Sequence, residues 1–333
     1  MLTTHATTLS PSAAILWAYR FADDGTAESV PASDVDDALS TRGGRFWIHV
    51  GLADTRCRFW LEHHAPLSVA ARDVLLGPDE HLHVNVMPDE IAGVLPDLQR
   101  NLAEPAMEFG RFRFVMTQTL LITARRHALH SLELTRRSIE AGTRFPTTVS
   151  LLDGIIGDHF VDVIARQGEQ LGDELDIVEE AVLHDDLGDE RQRIARVRVQ
   201  VVRVHRQLAQ MKALFHRLEP RIAASHPLLV APLRALTEKL DALDHDFSSI
   251  QERSRLLQQE VGTKMTAITN RRLFTLSVLT ACLLPPTLVT GFFGMNTKDL
   301  PFQNVDDGTW YAFALAVAAA AVTYWALRRL RAL

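Results

Sequence analysis

Two stretches near the C-terminus, residues 273–293 and residues 308–327, contain no charged residue. At 1.5 Å per residue a helix of about 20 residues crosses the ~30 Å hydrocarbon core of a bilayer, so both stretches predict transmembrane helices. Overall composition hides this, because 47% hydrophobic and 23% charged residues would also suit a globular chain. The charges are concentrated before residue 273. That part is long enough for one large or two ordinary soluble domains.

Basic residues beside the spans set the orientation. Lys264, Arg271 and Arg272 precede the first span and Arg328, Arg329 and Arg331 follow the second, whereas the 14-residue link between them has only Lys298. Both termini are therefore expected in the cytoplasm. The first eleven residues have no basic start and no apolar run, so no signal peptide is expected. Cys57 and Cys282 fall in the soluble part and in the first span, and imply no disulfide framework.

A net charge of -6 without a segregated basic stripe sets nucleic acid aside. No Walker loop, dinucleotide fingerprint, GxSxG elbow or HExxH is present. An enzyme and ATP-driven transport both lack support, and no cofactor is expected.

The soluble part divides by pattern. Residues 1–145 read as an α/β domain, with strand-like runs AILWAYRF, RFWIHVGL, HLHVNVMP, EIAGVLP and FRFVMTQTLLITAR, and helical candidates SDVDDALS, DTRCRFWLEHH and LSVAARDVLLG. Residues 146–226 read as a helical hairpin: one helix over about 149–187, a second over about 189–218, and a turn over 219–226 containing Pro220. Residues 169–190 hold ten carboxylates and no Lys or Arg, and the second helix is rich in Arg. The simple reading is that the opposite charges of the two helices face one another. A carboxylate cluster that gathers divalent cations is compatible with it.

Residues 227–272 begin a third helix whose apolar residues follow heptad spacing, at Leu233, Leu236, Leu240, Leu243, Phe247, Ile250, Leu257, Val261 and Ile268. No strong breaker follows Pro232, so this stalk is expected to run unbroken into the first span. Residues 294–309 then form an outer loop, residues 310–327 the second span and residues 328–333 a basic tail. Trp310, Tyr311, Tyr324 and Trp325 near the ends of the second span are the interfacial aromatics of a lipid-facing anchor.

The first span ends Leu284-Pro285-Pro286-Thr287-Leu288-Val289-Thr290-Gly291-Phe292-Phe293-Gly294-Met295-Asn296. This resembles the signature of the CorA superfamily of two-helix metal-ion transporters, in which proline, a threonine two residues on and a terminal Gly-Met-Asn mark the pore helix and its outer mouth. The sequence around Leu300-Pro301-Phe302 and the strand Phe46-Trp47-Ile48-His49-Val50 resemble the ZntB branch, which usually carries Gly-Gly where this chain has Lys298-Asp299. The resemblance implies an α+β fold: a cytoplasmic α/β domain, a long helical hairpin, and a very long stalk helix continuing into a two-helix C-terminal transmembrane region, assembled as a pentameric funnel in a bacterial-type inner membrane. It also implies that Gly294, Met295 and Asn296 meet the hydrated ion. The transported ion would be Zn²⁺ or another divalent cation, with magnesium, cobalt or nickel as the alternative. A membrane-anchored oligomeric sensor or scaffold is the reading from another class.

Heptad steps back from the mouth give Gly291, Thr287, Leu284, Thr280, Ser277, Leu273 and Asn270 as a pore-lining stripe, polar apart from two leucines and a glycine. The bland reading of the Ser and Thr residues is helix-to-helix hydrogen bonding. Extended into the cytoplasm, the stripe passes Thr266, Thr263, Gln259, Glu252 and His245. Asp299, Asp306 and Asp307 make the outer loop acidic, either as a field that concentrates cations or as a merely solvated loop. The fourteen histidines show no structural-zinc spacing. Asp158 and Asp162 at i, i+4, and His245 on the channel stripe, are the candidate metal ligands outside the mouth.

Overall fold

The computed structural model describes residues 14–41, 43–100, 108–184, 188–295, 301 and 307–329. They fall into two units, Met1–Leu257 and Gln258–Leu333.

In the first unit, β-branched and aromatic runs build a seven-stranded mixed sheet. Its strands are β1 (Ile15–Phe21), β2 (Ala27–Ser29), β3 (Arg45–Gly51), β4 (His83–Val86), β5 (Ile91–Leu98), β6 (Phe109–Met116) and β7 (Leu120–Arg125), ordered β2-β1-β3-β7-β6-β5-β4. The central pair β3 and β7 is parallel and every other pair antiparallel. A strand covered on both faces reads as a continuous apolar run, which is why Phe46, Trp47, Ile48 and Val50 are all buried. On one face α1 (Val35–Ser40), α2 (Thr55–His63) and α3 (Val69–Leu76) bury Val35, Cys57, Trp60, Leu61 and Leu75 against Ile48, Val50, Val94 and Ile122.

Several local expectations change. The run ending in LLITAR is two strands, because Thr117 Oγ1 accepts from the N–H groups of Thr119 and Leu120 and closes a hairpin turn. β2 and α4 (His130–Glu140) were not anticipated. Asp54 caps α2 through the Arg56 N–H and Ser68 caps α3 through the Ala71 N–H, while the side chain of Asp34 makes no cap bond to α1.

The hairpin differs at both its helices. Instead of one helix from residue 149, α5 (Thr148–Asp153) passes into a π-helical stretch, Gly154–Phe160, and then α6 (Val161–Leu183). Two glycines permit this: a Cβ at Gly154 would stand 2.6 Å from Phe145 Cε1, and one at Gly157 would collide with Asp153 Oδ1. The second helix does not stop before Pro220. α7 (Glu190–Ser225) runs through that proline, held by buried Leu218 and Ile222 on either side. A 3-10 turn, Pro227–Leu229, then leads into α8 (Val230–Phe293), a single helix of 64 residues that contains both Pro285 and Pro286.

The seam between α6 and α7 is apolar, with Ile164, Leu171, Leu175 and Val178 of α6 and Ile194, Val197, Val201 and Val204 of α7 all buried. Charged side chains of the hairpin also pair with α8. Arg253 pairs with Asp176 and Glu179 on α6, and Lys212 of α7 lies 3.2 Å from both Asp241 Oδ1 and Asp244 Oδ2. The heptad residues Leu233, Leu236, Leu240, Leu243, Phe247 and Leu257 are buried within the chain itself. Gly168 lets α8 approach closely, since a Cβ there would be 3.2 Å from Phe247. A cavity of about 80 Å³ between sheet and helices is lined by Ile91, Leu95, Phe114, Phe215 and Leu236.

The second unit contains the end of α8 and α9 (Gly308–Arg329). α9 is exposed along most of its length, with Trp310 and Trp325 near its two ends. Residues 230–293 and 308–329 both meet the length and apolarity needed for a membrane crossing.

Candidate ion path along the stalk helix

The outer half of α8 has two unlike faces. Within residues 270–293 only Val278, Ala281, Cys282, Pro285, Pro286, Val289 and Phe293 are half-buried, and they recur every three or four residues. The expected pore stripe, Asn270, Leu273, Ser277, Thr280, Leu284, Thr287 and Gly291, is exposed throughout. At 100° per residue the centres of the two sets lie about 150° apart. The half-buried face includes Ala281, Cys282 and the two prolines that release their carbonyls, so the weakened part of the hydrogen-bond ladder is not on the exposed stripe.

The hydroxyls of the stripe share one geometry. Ser277 Oγ donates to Leu273 O at 2.9 Å, Thr280 Oγ1 to Leu276 O at 2.9 Å and Thr287 Oγ1 to Leu283 O at 2.8 Å. Each proton is thus committed to the carbonyl one turn back, and the oxygen presents its lone pairs outward. An oxygen in that state accepts hydrogen bonds, as from the waters around a cation. Thr263 and Thr266 repeat it, donating to Gln259 O and Gly262 O at 3.0 and 2.9 Å.

At the outer end, the Gly294 N–H donates to Thr290 O at 2.9 Å and the Met295 N–H to Phe292 O at 3.3 Å. Glycine at 294 is favoured by contact, because a Cβ would stand 3.1 Å from Thr290 O. Gly291 meets nothing within 4 Å. Asn296, Asp299 and Asp306 lie outside the described residues. Asp307 is exposed, and its carbonyl accepts from the N–H groups of Trp310 and Tyr311 at the start of α9.

On the inner part of α8, His245, Glu252 and Gln259 are exposed. Glu252 is not a bare carboxylate: Arg255 donates to both its oxygens at 2.9 and 2.7 Å and lowers its pKa. Asp158 sits in the π-helical stretch, 3.2 Å from Lys239 Nζ, which also donates to Gly157 O. Asp158, Asp162 and His245 are not brought together as a metal site, and no group of three His, Cys, Asp or Glu side chains among the described residues has that arrangement. The π-helical turn alters the i, i+4 relation on which the Asp158–Asp162 expectation rested.

Two polar networks escaped sequence reasoning. His205, Lys212 and His216, all on one side of α7, meet Asp244 and Asp241 of α8, with His205 Nε2 3.3 Å from Asp244 Oδ1 and His216 Nε2 3.6 Å from Asp241 Oδ1. The 7- and 4-residue spacings on α7 were the available signal. Inside the sheet, Trp47 Nε1 donates to Thr123 Oγ1 at 2.9 Å and His49 Nδ1 lies 2.7 Å from the same oxygen. Burial, then the charge of Arg125, pushes His49 well below its ordinary pKa. The Trp-x-His pattern of β3 is thus a buried structural motif.

The family described as CorA-like Mg2+ transporter protein matches residues 43–329. The zinc transport protein ZntB of Yersinia enterocolitica is 26% identical over 297 residues, covering 87% of this chain and 88% of that protein. Full-length CmaX superposes with a TM-score of 0.78 at 22% identity, over 95% of this chain and 98% of CmaX. The CorA magnesium transporter from Methanocaldococcus jannaschii gives a TM-score of 0.68 at 18% identity, over 94% and 97% of the two chains.

Proposed function

Because this chain belongs to the CorA family of divalent-cation transporters, we propose that it carries Zn²⁺ through a central pore shared by five copies of itself. As a family member it is an inner-membrane transporter and not an enzyme, with two C-terminal spans and both termini in the cytoplasm. The outer half of α8 lines the pore, and Gly294, Met295 and Asn296 form the mouth where the hydrated ion is first held. α9 faces lipid. Asp299, Asp306 and Asp307 raise the local concentration of cations.

The observation that carries this reading is the exposed stripe of back-bonded hydroxyls opposite the half-buried face of α8. Neutral acceptor oxygens hold the hydration shell of a divalent ion without trapping the ion, as rapid passage requires. Lateral glue between helices would also use hydroxyls; three of the five in the span, Ser277, Thr280 and Thr287, share the stripe with Asn270, while Thr275 and Thr290 lie off it. Similarity to a zinc transport protein over most of both chains favours zinc. Magnesium is the second reading, favoured by the family's description and by the hydroxyl and amide oxygens of the membrane stripe.

Flux into proteoliposomes, read with ion-specific dyes inside the vesicles, tests the proposal. The expected outcome is Zn²⁺ entry through the wild type and its loss in a still-pentameric Asn296→Ala variant. Mg²⁺ entry without Zn²⁺ entry would transfer the assignment to the second reading. Normal flux through Asn296→Ala would remove the mouth from the mechanism.

A further inference from the structure

We propose that the acidic face of α6 docks against the basic face of α7 on the neighbouring subunit, so that the hairpins close a ring of charge-paired contacts; this rests on the homopentamer proposed above. On α6, Glu169, Asp173 and Glu180 are exposed and fall within about 40° of one another at 100° per residue, turned away from the buried Leu171 and Leu175. On α7, Arg191, Arg196 and Arg206 are exposed and spread over about 140° at 100° per residue, with Arg206 opposite Val197 and Val201. None of these six has an ion-pair partner among the described residues.

Each face also carries apolar surface that the chain leaves uncovered. Ile177 and Leu183 on α6 are 54% and 71% exposed, and Val199 on α7 is 58% exposed. Charge alone is satisfied by water and salt. Exposed aliphatic side chains set among complementary charges are better suited to a protein partner.

The partner with the matching chemistry is a second copy. The two helices form a hairpin, and each points its charged face away from the common seam, so one subunit cannot bring its own faces together. A heterologous contact, face to unlike face, generates a ring when the rotation closes. Heights along the hairpin agree as well. Glu180 lies 3 residues before the end of α6, and Arg191 and Arg196 lie 1 and 6 residues after the start of α7. Glu169 and Arg206 are deeper, about 21 and 24 Å from those ends at 1.5 Å per residue. Rotation without translation therefore brings acid opposite base along the whole contact, as cyclic symmetry requires.

The test uses the full chain in mild detergent, carrying Arg196→Lys and Arg206→Lys so that the charge is kept and an amine becomes available. A carbodiimide then joins carboxylates to amines that touch. The expected result is a covalent ladder ending at five subunits, with cross-linked peptides that join α6 to α7. It should fall at least tenfold when Glu169→Gln, Asp173→Asn and Glu180→Gln are added. A five-subunit species in native mass spectrometry that gives no α6–α7 product, or a ladder unchanged by the neutral substitutions, would overturn the contact and leave the pentamer standing. Absence of any five-subunit species would remove both.

Discussion

Thr123 serves two aromatic side chains with one hydroxyl. Its oxygen accepts the Trp47 N–H and shares a hydrogen bond with His49 Nδ1, 2.7 Å away, whose direction follows the tautomer of that imidazole. Thr123→Val keeps the shape and removes both bonds in a fully buried place, so we expect a loss of about 1–3 kcal/mol in denaturant unfolding, restored largely by Thr123→Ser. Acid acts on the same domain in two opposed ways. Below its ordinary value of 6.5, His49 takes a proton when unfolded but not when folded, so stability falls as pH falls. Burial raises Asp97 from 3.8 to about 6, against the hydrogen bonds from Ser131 and Leu98, so its folded form takes a proton first and stability rises as pH falls through 6. Asp97→Asn deletes only the second effect. From about pH 7.5 to about pH 5 the variant should lose roughly 1 kcal/mol more stability than the wild type, read from thermal melting at the two pH values.

Helix α7 shows where local rules yield to packing. Proline in a helix interior removes a hydrogen bond and clashes with the preceding turn, at a cost of about 3 kcal/mol. That made Pro220 a natural turn residue, yet the helix continues because Leu218 and Ile222 bury their side chains only if it does. Pro220→Ala should therefore raise the melting temperature without changing the fold, and a variant no more stable than wild type would show that strain there is relieved some other way. The π-helical stretch was hidden for a related reason: Gly154 and Gly157 are read by Phe145 and Asp153, contacts that no periodicity encodes. What sequence did show was long-range pattern. The strand runs, the two apolar windows and the unbroken α8 all depend on many residues agreeing, whereas caps, turns and ion pairs depend on one or two. The heptad stripe of α8 was legible, and its partners are helices of the same subunit.

At the scale of the whole molecule, one stripe along α8 cannot remain on one side of a straight helix. A strict 3.5-residue repeat drifts by about 20° per heptad, so the 42 residues from His245 to Thr287 accumulate about 120° unless the stalks supercoil left-handedly around their common axis. The inner residues His245 and Glu252 are therefore less secure members of the path than the outer stripe, and Glu252 is already held by Arg255. The outer stripe makes the sharper prediction. If Asn270, Leu273, Ser277, Thr280, Leu284 and Thr287 border water, a cysteine at each, in a Cys282→Ala background, should react with small charged thiol reagents, because thiolate forms in water and not in lipid. Cysteines at Val278 and Val289, on the half-buried face, should be protected. Thr287→Lys adds charge to the same wall: in the proposed pentamer five ammonium groups around one constriction would repel an arriving divalent ion, and flux should fall at least a hundredfold while the subunits still assemble. Uniform labelling around the helix, or full flux through Thr287→Lys, would mean that the ion passes along another face.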